Sequence, residues 1–222
     1  DTFDRDLSSR FEIHDYFIAK SIRKLKPGGL GVFITSTATL DRSANLRNWV
    51  VNDGNADFIG AVRLNTGTFK NTAGTETSAD IIIVRKRDEA GPAPYAVNMQ
   101  STITEREAPY ERIIKLSNGK VKTEAATAHM NYNKYFHDNP QFMAGQMRFG
   151  FESGVEIRPT EQRCVPTSDI DQSRTLDSFI SALPENIYTS APAPATERIP
   201  QAVEAPNSTK ERGLTIIDGK PY

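Results

Sequence analysis

Two polar stretches of this sequence have the residue types of a ligand site. Residues 36–39, Ser-Thr-Ala-Thr, follow an apolar run, and the long segment 65–77 surrounds one large apolar residue, Phe69, with threonine and glycine. Small hydroxyl side chains at the carboxyl end of a strand are typical of a cleft wall in an open α/β sheet, although from the residues alone an ordinary polar turn is the preferred explanation. Phe69 either packs into the core or is presented to a ligand, and the local composition does not decide between the two.

Other combinations of reactive side chains are weaker. Glu12 and Asp15 are one helical turn apart and could act as paired carboxylates, but acidic residues at a solvated helix start are the commoner explanation. The sequence has no phosphate-binding glycine loop, no Gly-x-Ser-x-Gly elbow and no His-Glu-x-x-His helix. The single Cys164 and the three scattered histidines lack metal-ligand spacing, so no metal site is predicted. The residues alone indicate a ligand-binding edge and do not identify a reaction.

The composition narrows the function classes. A formal net charge of -1 and a pI near 6.4 argue against a generally basic nucleic-acid-binding surface. One cysteine excludes an internal disulfide and favours a reducing, cytoplasmic compartment. No apolar run approaches the ~20 residues of a membrane span, so no membrane association is expected. The chain begins without methionine and stops just after an apolar run at 214–217, and we interpret both ends as lying inside a longer polypeptide.

The two polar stretches are positioned by an alternation of helices and strands. The predicted elements are a helix over 12–25, a strand over 30–35, a helix ending at Gly54, and strands over 57–64 and 78–87. Lys-Pro-Gly-Gly at 26–29 ends the first helix, because proline cannot continue it and the glycines make the turn. The strand over 30–35 is apolar on both faces, which predicts a parallel strand buried between helices. Trp49 is interpreted as a core anchor.

Beyond residue 88 the pattern becomes mixed. Short β-like runs surround Ile113 and Val121, and the aromatic and methionine side chains of 131–148 are interpreted as a small satellite core. A glycine-bent hairpin is expected over 149–159. A helix carrying Leu176, Phe179, Ile180 and Leu183 on one face is expected to begin at Ser168 or Asp169. The predicted organisation is half of an α/β domain over 1–88, an α+β extension over 89–189, an Ala/Pro-rich linker over 190–213 and the start of a further element over 214–222.

Two segments of the first 88 residues resemble known enzymes. Residues 16–35 resemble the helix-to-strand segment that carries Lys-Pro-Gly-Gly in class I S-adenosylmethionine-dependent methyltransferases. Residues 61–86, an Arg-Leu-Asn turn, then Phe69, a Gly-Thr pair and an aliphatic strand, resemble the last strand pair of gamma-class N6-adenine DNA methyltransferases. The sequence departs from that family at Asn65, where relatives usually have proline. The resemblance implies a partial class I, Rossmann-like α/β sheet.

Three later segments resemble one subgroup, the large methylase and helicase polypeptides of phages and bacterial mobile elements. These segments are 135–147, 182–188 and 217–222, and they occur in the order found in that subgroup. The resemblance covers most of the chain and is weakest over 102–127 and the linker. It implies a restriction-modification or mobile-element context, with a fused helicase as a further expected partner.

The resemblance also implies a reaction, the transfer of a methyl group from S-adenosylmethionine to the N6 amine of adenine in DNA. The base would first be swung out of the duplex. In the family an aromatic residue before the last strand stacks on that base, and Phe69 occupies the matching position. Its loop neighbours Thr68, Lys70, Gly74 and Thr75 are the remaining expected substrate-loop residues.

The cofactor contact implied by the resemblance lies on the first helix. In the family an aromatic side chain of this helix packs against the adenine of the cofactor, and by spacing the matching residue is Phe17, next to Tyr16. Packing of Phe17 under the sheet is the alternative.

The departures from the family limit what this chain does alone. It contains neither the glycine-rich cofactor loop nor the Asn-Pro-Pro-aromatic motif of these enzymes. We therefore expect no catalytic residue in this chain and no activity without the remaining N-terminal half of the methyltransferase domain. DNA is the expected substrate. Two alternatives stay open: a non-catalytic DNA-binding or scaffolding segment with a methylase-like fold, and a class I methyltransferase acting on RNA or a small molecule.

Overall fold

The computed structural model describes residues 4–149 and 161–188, and the backbone at 216–217 and 220–221. The chain divides into two units, residues 1–191 and 192–222. The hairpin predicted over 149–159 lies outside the described residues except for Phe149, and the linker predicted over 190–213 lies wholly outside them. In the second unit, strand pairing is described between Ile216–Ile217 and Lys220–Pro221.

A three-stranded sheet forms the centre of the first unit. Its strands are β1 (Leu30–Ser36), β2 (Ala56–Leu64) and β3 (Ala79–Lys86), in the order β1-β3-β2. The strand β3 is antiparallel to both neighbours. The predicted strands are thus confirmed nearly to the residue, and the fold is mixed α/β with small antiparallel sheets.

The expected surroundings of β1 are wrong for the described chain. The run was predicted to be a parallel strand buried on both faces, but β1 pairs with the antiparallel β3, and Val32 and Ile34 are 62% and 64% exposed. Among the described residues nothing covers this face of β1. A continuous apolar run predicts burial without saying which polypeptide provides the cover.

Four helices pack beside the sheet: α1 (Arg5–Arg10), α2 (Ile13–Lys24), α3 (Ala38–Asp41) and α4 (Ala44–Val51). The predicted helix over 12–25 is confirmed as α2, whose Ile18 and Ile22 are buried in the same core as Trp49 of α4. Trp49 is 3% exposed, so its assignment as a core anchor is confirmed. The turn after α2 is fixed to the sheet, because the Gly28 amide donates to the Lys86 carbonyl oxygen at 3.0 Å.

The remaining elements of the first unit follow β2 and β3. They are α5 (Lys70–Ala73), a long hairpin of β4 (Thr102–Lys115) and β5 (Val121–Asn133), α6 (Lys134–Asp138), a 3-10 helix (Pro140–Phe142), a second hairpin of β6 (Gln146–Phe149) and β7 (Gln162–Val165), and α7 (Gln172–Ala182).

Aromatic residues after position 131 complete the main core. Tyr132, Tyr135, Phe136 and Phe142 are buried there together with the sheet residues, so the predicted satellite core is wrong for them. Tyr135 packs edge to face on Phe58 of β2, with ring centroids 5.2 Å apart, and Phe136 lies against the Arg63 guanidinium of the same strand. A separate small cluster does exist, formed by Ala128, Met130, Tyr110, Met147 and Phe149.

The helix α7 closes one side of the core at Phe179. It begins later than predicted, since Asp171 is the cap and its Oδ1 accepts a hydrogen bond from the Arg174 amide at 2.8 Å. Phe179 is 3% exposed, whereas Ile180 is 61% exposed and does not share the buried face expected for it.

Candidate substrate-binding rim

The sheet register brings the two polar stretches of the sequence to one edge. Ser36 at the end of β1 and Leu64 at the end of β2 are both paired with Ala79 at the start of β3. The hydroxyl run after β1 and the loop between β2 and β3 therefore leave the sheet at the same edge, which we call the rim.

The hydroxyl run forms a compact wall at the rim. The Thr35 and Thr39 hydroxyl oxygens are 2.8 Å apart, and the Ala38 amide donates to Ser36 Oγ at 3.2 Å. Thr39 is 1% exposed, so its hydroxyl group faces the protein rather than solvent. Of this run, Ser36 is exposed.

Asn65 shapes the first turn of the loop after β2. Its side-chain oxygen accepts a hydrogen bond from the Gly67 amide at 2.9 Å, and its side-chain amide donates to the Ala144 carbonyl oxygen at 2.8 Å. The Thr68 amide donates to the Asn65 carbonyl oxygen at 3.2 Å. An Asx turn of this kind supplies the local constraint that proline gives by fixing its own backbone. The departure at Asn65 thus leaves the turn intact.

Strand β7 holds both ends of this loop. The Thr66 amide donates to the Cys164 carbonyl oxygen at 2.9 Å, and the Cys164 amide donates to Ser78 Oγ at 2.8 Å. The Thr68 hydroxyl also lies 2.6 Å from Gln172 Oε1 of α7. The extension beyond residue 88 therefore positions the loop of the rim.

Phe69 lies at the outer part of the loop. It is half-buried, precedes the short helix α5, and belongs to neither apolar cluster of the described residues. The ring is therefore neither a core residue nor a freely exposed one.

The other predicted loop residues have structural contacts of their own. Thr68 is engaged with Asn65 and Gln172, while the exposed Lys70 forms an ion pair with Glu76 at 2.6 Å. The hydrogen bond to Glu76 raises the pKa of Lys70. Gly74 ends α5 with a φ of 63°, a left-handed conformation that favours glycine. The Thr75 hydroxyl lies 3.1 Å from that of Thr77.

The two predicted cofactor residues lie on α2, apart from the loop in sequence. Phe17 is 58% exposed, so the alternative that it packs under the sheet is wrong. Tyr16 is half-buried against the core and meets Phe17 edge to face, with ring centroids 5.4 Å apart. Lys20 donates a hydrogen bond to the Tyr16 hydroxyl at 3.1 Å. Phe17 is thus largely open to solvent and has one edge-to-face contact with the Tyr16 ring.

A cavity of about 540 Å³ lies between the start of α2 and the segment after α3. Its wall includes Glu12 and Asp15, which were expected to be a solvated helix start, and Ser43. Asp15 is only 5% exposed, whereas Glu12 is exposed. Burial raises the pKa of Asp15, and a hydrogen bond from Ser43 opposes this. The two carboxylates therefore face one cavity in different environments. Neither Tyr16 nor Phe17 lines it.

A buried cluster of charged side chains lies next to the rim. The Arg63 guanidinium is fully buried and donates to Asp80 through Nε and Nη2, each at 2.8 Å, and to Asp41 Oδ1 at 2.9 Å. It also lies over the Phe136 ring, 4.3 Å from its centroid. Burial alone would lower the pKa of Arg63, but the two carboxylates raise it overall. The cation is held charged between two strands and α3.

The same cluster binds the extension. Asp41 Oδ1 accepts from the Asn133 amide and Asp41 Oδ2 from Gln162 Nε2, both at 2.9 Å. The Asn133 side chain donates to the Leu40 and Met99 carbonyl oxygens at 3.0 and 2.7 Å. The Asp41 carboxylate therefore connects α3, the helix that follows β1, to both hairpins of the extension.

These cluster residues were not predicted from the sequence. A charged residue inside each of two neighbouring apolar strands, Arg63 and Asp80, is the signal that could have found them, since buried charges must be paired. Over residues 4–149 and 161–188, no group of three or more His, Cys, Asp or Glu side chains is arranged to hold a metal ion. No helix in the described part of the chain is long and apolar enough to cross a membrane.

Comparison with known proteins gives one distant relative. The Defense against restriction protein B of Escherichia phage P1 is 25% identical to this chain over 160 residues. The chain is similar to part of a phage restriction-defence protein. The matched region covers 72% of this chain but 6% of the phage protein. No family model and no solved structure matches the chain.

Proposed function

We propose that residues 1–88 are the C-terminal half of the catalytic domain of a gamma-class N6-adenine DNA methyltransferase, with a class I, Rossmann-like sheet, and that the residues after 88 are its extension. The observation that carries this proposal is the rim. The loop expected to receive the base and the hydroxyl run expected to line the cleft leave the sheet beside the same residue, Ala79. The expected last strand pair corresponds to β2 and β3, which are neighbours.

Phe69 is the proposed partner of the flipped adenine. A base swung out of the duplex needs a flat apolar surface. The ring of Phe69 is half-buried outside both apolar clusters, and hydrogen bonds to β7 and α7 fix the loop before and after it. A loop whose backbone is attached in this way loses less conformational freedom when a base stacks on its aromatic ring.

Phe17 is the proposed contact for the cofactor. S-adenosylmethionine would supply the methyl group, and the open face of Phe17 fits stacking on its adenine ring. The ring is 58% exposed and braced by Tyr16, which suits a stacking surface better than a core residue. The groups that would hold the methionine part of the cofactor are proposed to lie in the preceding half of the domain.

The exposed face of β1 supports the proposal that a further part of the polypeptide packs there. Val32 and Ile34 on β1 are each more than half exposed. A strand with an open edge and exposed aliphatic side chains is a site where further chain adds. We propose that the N-terminal half of the methyltransferase domain covers this side.

The similarity to the phage protein supports the context. That relative is named for defence against restriction, and we propose that this chain belongs to a phage or mobile-element polypeptide that modifies DNA in a restriction-modification setting. A fused helicase is part of the same proposal.

The test is methyl transfer by the parent polypeptide, or by this chain co-expressed with the preceding half. Labelled S-adenosylmethionine is supplied with duplexes that contain or lack adenine. We expect label only in the adenine-containing duplex, and Phe69→Ala to reduce kcat/KM roughly 5- to 150-fold, the equivalent of about 1–3 kcal/mol of stacking. Phe69→Trp should restore most of the activity.

The control is Tyr188→Ala, which removes an aromatic ring that is 60% exposed and lies outside the loop. It should leave methylation unchanged, and cofactor binding measured by calorimetry should be nearly equal in all variants. Parallel loss of cofactor binding in Phe69→Ala would contradict the stacking role. Absence of transfer to any adenine-containing duplex would favour a non-catalytic DNA-binding segment, and transfer to RNA or a small molecule would favour the third alternative.

A further inference from the structure

The hairpin of β4 and β5 has the two longest strands in the described part of the chain, with 14 and 13 residues. The two strands pair from Thr102 with Asn133 to Lys115 with Val121, in a two-stranded sheet. The turn is closed by the Leu116 amide, which donates to the Lys120 carbonyl oxygen at 2.8 Å. At about 3.3 Å per residue, a strand of this length extends roughly 45 Å.

Over residues 4–149 and 161–188, packing of this hairpin is confined to its base. Ala128 and Met130 are buried against Phe149, with Tyr110 beside them. Beyond Tyr110 the side chains open to solvent, and Ile113 and Val121 are 68% and 60% exposed. The unsupported part therefore projects by about six residues per strand, or roughly 20 Å.

The charge of the hairpin is polarised along its length. Residues 112–124, which we call the arm, contain four cationic side chains and one carboxylate, a net charge of +3. Since the whole chain carries -1, the rest of it carries -4. Residues 102–111 contain three glutamates and one arginine. The cations are thus concentrated at the projecting end.

The four cations of the arm are only partly neutralised. Glu124 is shared by Arg112 at 3.3 Å and Lys122 at 2.9 Å. Lys115 and Lys120 are exposed, and within the described part of the chain neither has an ion pair. These two ammonium groups are therefore open to a partner with negative charge.

We propose that the arm is a DNA contact that enters the major groove of the duplex. The groove is about 12 Å wide and 8.5 Å deep and admits a two-stranded β-ribbon. The lysines would neutralise phosphates, and the exposed Ile113 and Val121 would contact thymine methyl groups on the groove floor. An isolated hairpin is marginally stable in water, so a ribbon of this length with exposed aliphatic side chains gains from such a partner.

Charge decides between DNA and a second protein as the partner. A protein-docking surface concentrates apolar side chains and is depleted of lysine, whereas the arm alternates aliphatic residues with unneutralised lysines. The proposal rests on the proposed function in one respect, that duplex DNA is the substrate. It adds a binding element distant from the rim.

The experiment measures binding of the 222-residue chain to a short labelled duplex by fluorescence anisotropy over a salt series. Lys115→Gln/Lys120→Gln is compared with Lys24→Gln/Lys26→Gln, which removes two exposed lysines at the opposite end of β1 from the rim. Each lost phosphate contact lowers the slope of log K against log salt by about 0.9, so we expect a slope lower by about 1.8 and affinity roughly 10- to 60-fold weaker at 0.1 M salt. The control variant should bind like the unaltered chain.

A second measurement needs no variant. Duplex DNA should protect Lys115 and Lys120 from acetylation, read by mass spectrometry, and should leave Lys24 and Lys26 reactive. Equal affinities of the two double variants, or no binding of duplex by the unaltered chain, would overturn the inference. A dimer that Ile113→Ser/Val121→Ser abolishes would show a second copy on the arm and overturn it as well.

The outcomes separate this inference from the proposed function. If the parent methylates DNA and the substitution of Lys115 and Lys120 has no effect, the proposal for the arm is wrong and the proposed function stands. If DNA binding depends on the arm and no methyl group is transferred, the proposed methyltransferase function is wrong and the proposal for the arm stands.

Discussion

The Ser78 hydroxyl and the Cys164 backbone are hydrogen-bonded in both directions. The Cys164 amide donates to Ser78 Oγ at 2.8 Å, and the Ser78 hydroxyl donates to the Cys164 carbonyl oxygen at 3.3 Å. The same carbonyl oxygen accepts from the Thr66 amide at 2.9 Å. One position of β7 therefore holds the start and the end of the rim loop, although it is 86 residues beyond Ser78.

Ser78→Ala tests this attachment. The substitution leaves the buried Cys164 amide without its acceptor, and an unsatisfied buried group costs about 1–3 kcal/mol. We expect the free energy of unfolding in urea to fall by that amount. Ser21→Ala, at an exposed hydroxyl of α2, is the control and should change it by less than about 0.5 kcal/mol. Equal effects of the two changes would show that the contact is not important for stability.

Arg63→Met tests the buried charge cluster. Removing the guanidinium leaves the Asp41 and Asp80 carboxylates buried without their cation, which typically costs about 3–5 kcal/mol. Denaturant unfolding should show this loss. Arg112→Met, which removes an exposed cation, should cost less than about 1 kcal/mol.

The double variant Arg63→Met/Asp80→Asn adds a coupling test. Because Asp80 accepts two of the guanidinium's hydrogen bonds, removing its charge should recover part of the stability lost in Arg63→Met. A double variant whose loss equals the sum of the two single losses would mean that the pair is not coupled.

The local elements were predictable from the sequence, but their surroundings were not. The helix α2, the turn at Gly28 and the strands β1, β2 and β3 follow from hydrophobic period and from proline and glycine positions. The exposure of β1 could not be predicted, because an apolar run has the same appearance whether its cover comes from this chain or from another. The pairing of β4 with β5 was missed, since both faces of its outer part meet solvent and give no alternation. The β-like runs around Ile113 and Val121 were recognised, but Asn118-Gly119 between them, a common hairpin turn sequence, was not used to pair them.

The candidate site, too, could be predicted only in part. Residues 36–39 and Phe69 were predicted from composition and resemblance, and the register brings their segments to one rim. The contacts that hold this rim join positions 79 to 121 residues apart, such as Asn65 with Ala144 and Asp41 with Gln162. Such pairs depend on tertiary packing, and no local pattern in a single sequence carries them.

Gly145→Ala tests the close contact between Gly145 and the backbone of β7, which both belong to the extension. A Cβ at this position would lie 2.3 Å from the Val165 carbonyl oxygen, a backbone atom of β7. The strand that carries Cys164 must therefore shift, and overpacking of this kind costs about 1–3 kcal/mol. We expect lower stability and faster amide exchange at Thr66, measured by NMR. In the control, Gly67→Ala, the methyl group meets only Asn65 Oδ1 at 3.2 Å, and Cys164 should remain in place.

Alkylation of Cys164 reports directly on whether β7 stays packed. Cys164 is the chain's one cysteine and is fully buried, and burial raises the pKa of its thiol to about 12. The thiolate is the reactive form, so at pH 8 the native protein should react with iodoacetamide at least about 1,000-fold more slowly than an exposed cysteine of pKa near 8.5. Full reaction is expected in urea, where the thiol is released. Native-state alkylation at the rate of a free thiol would mean that β7 is open, and the rim loop would then lack the anchor described for Thr66 and Ser78.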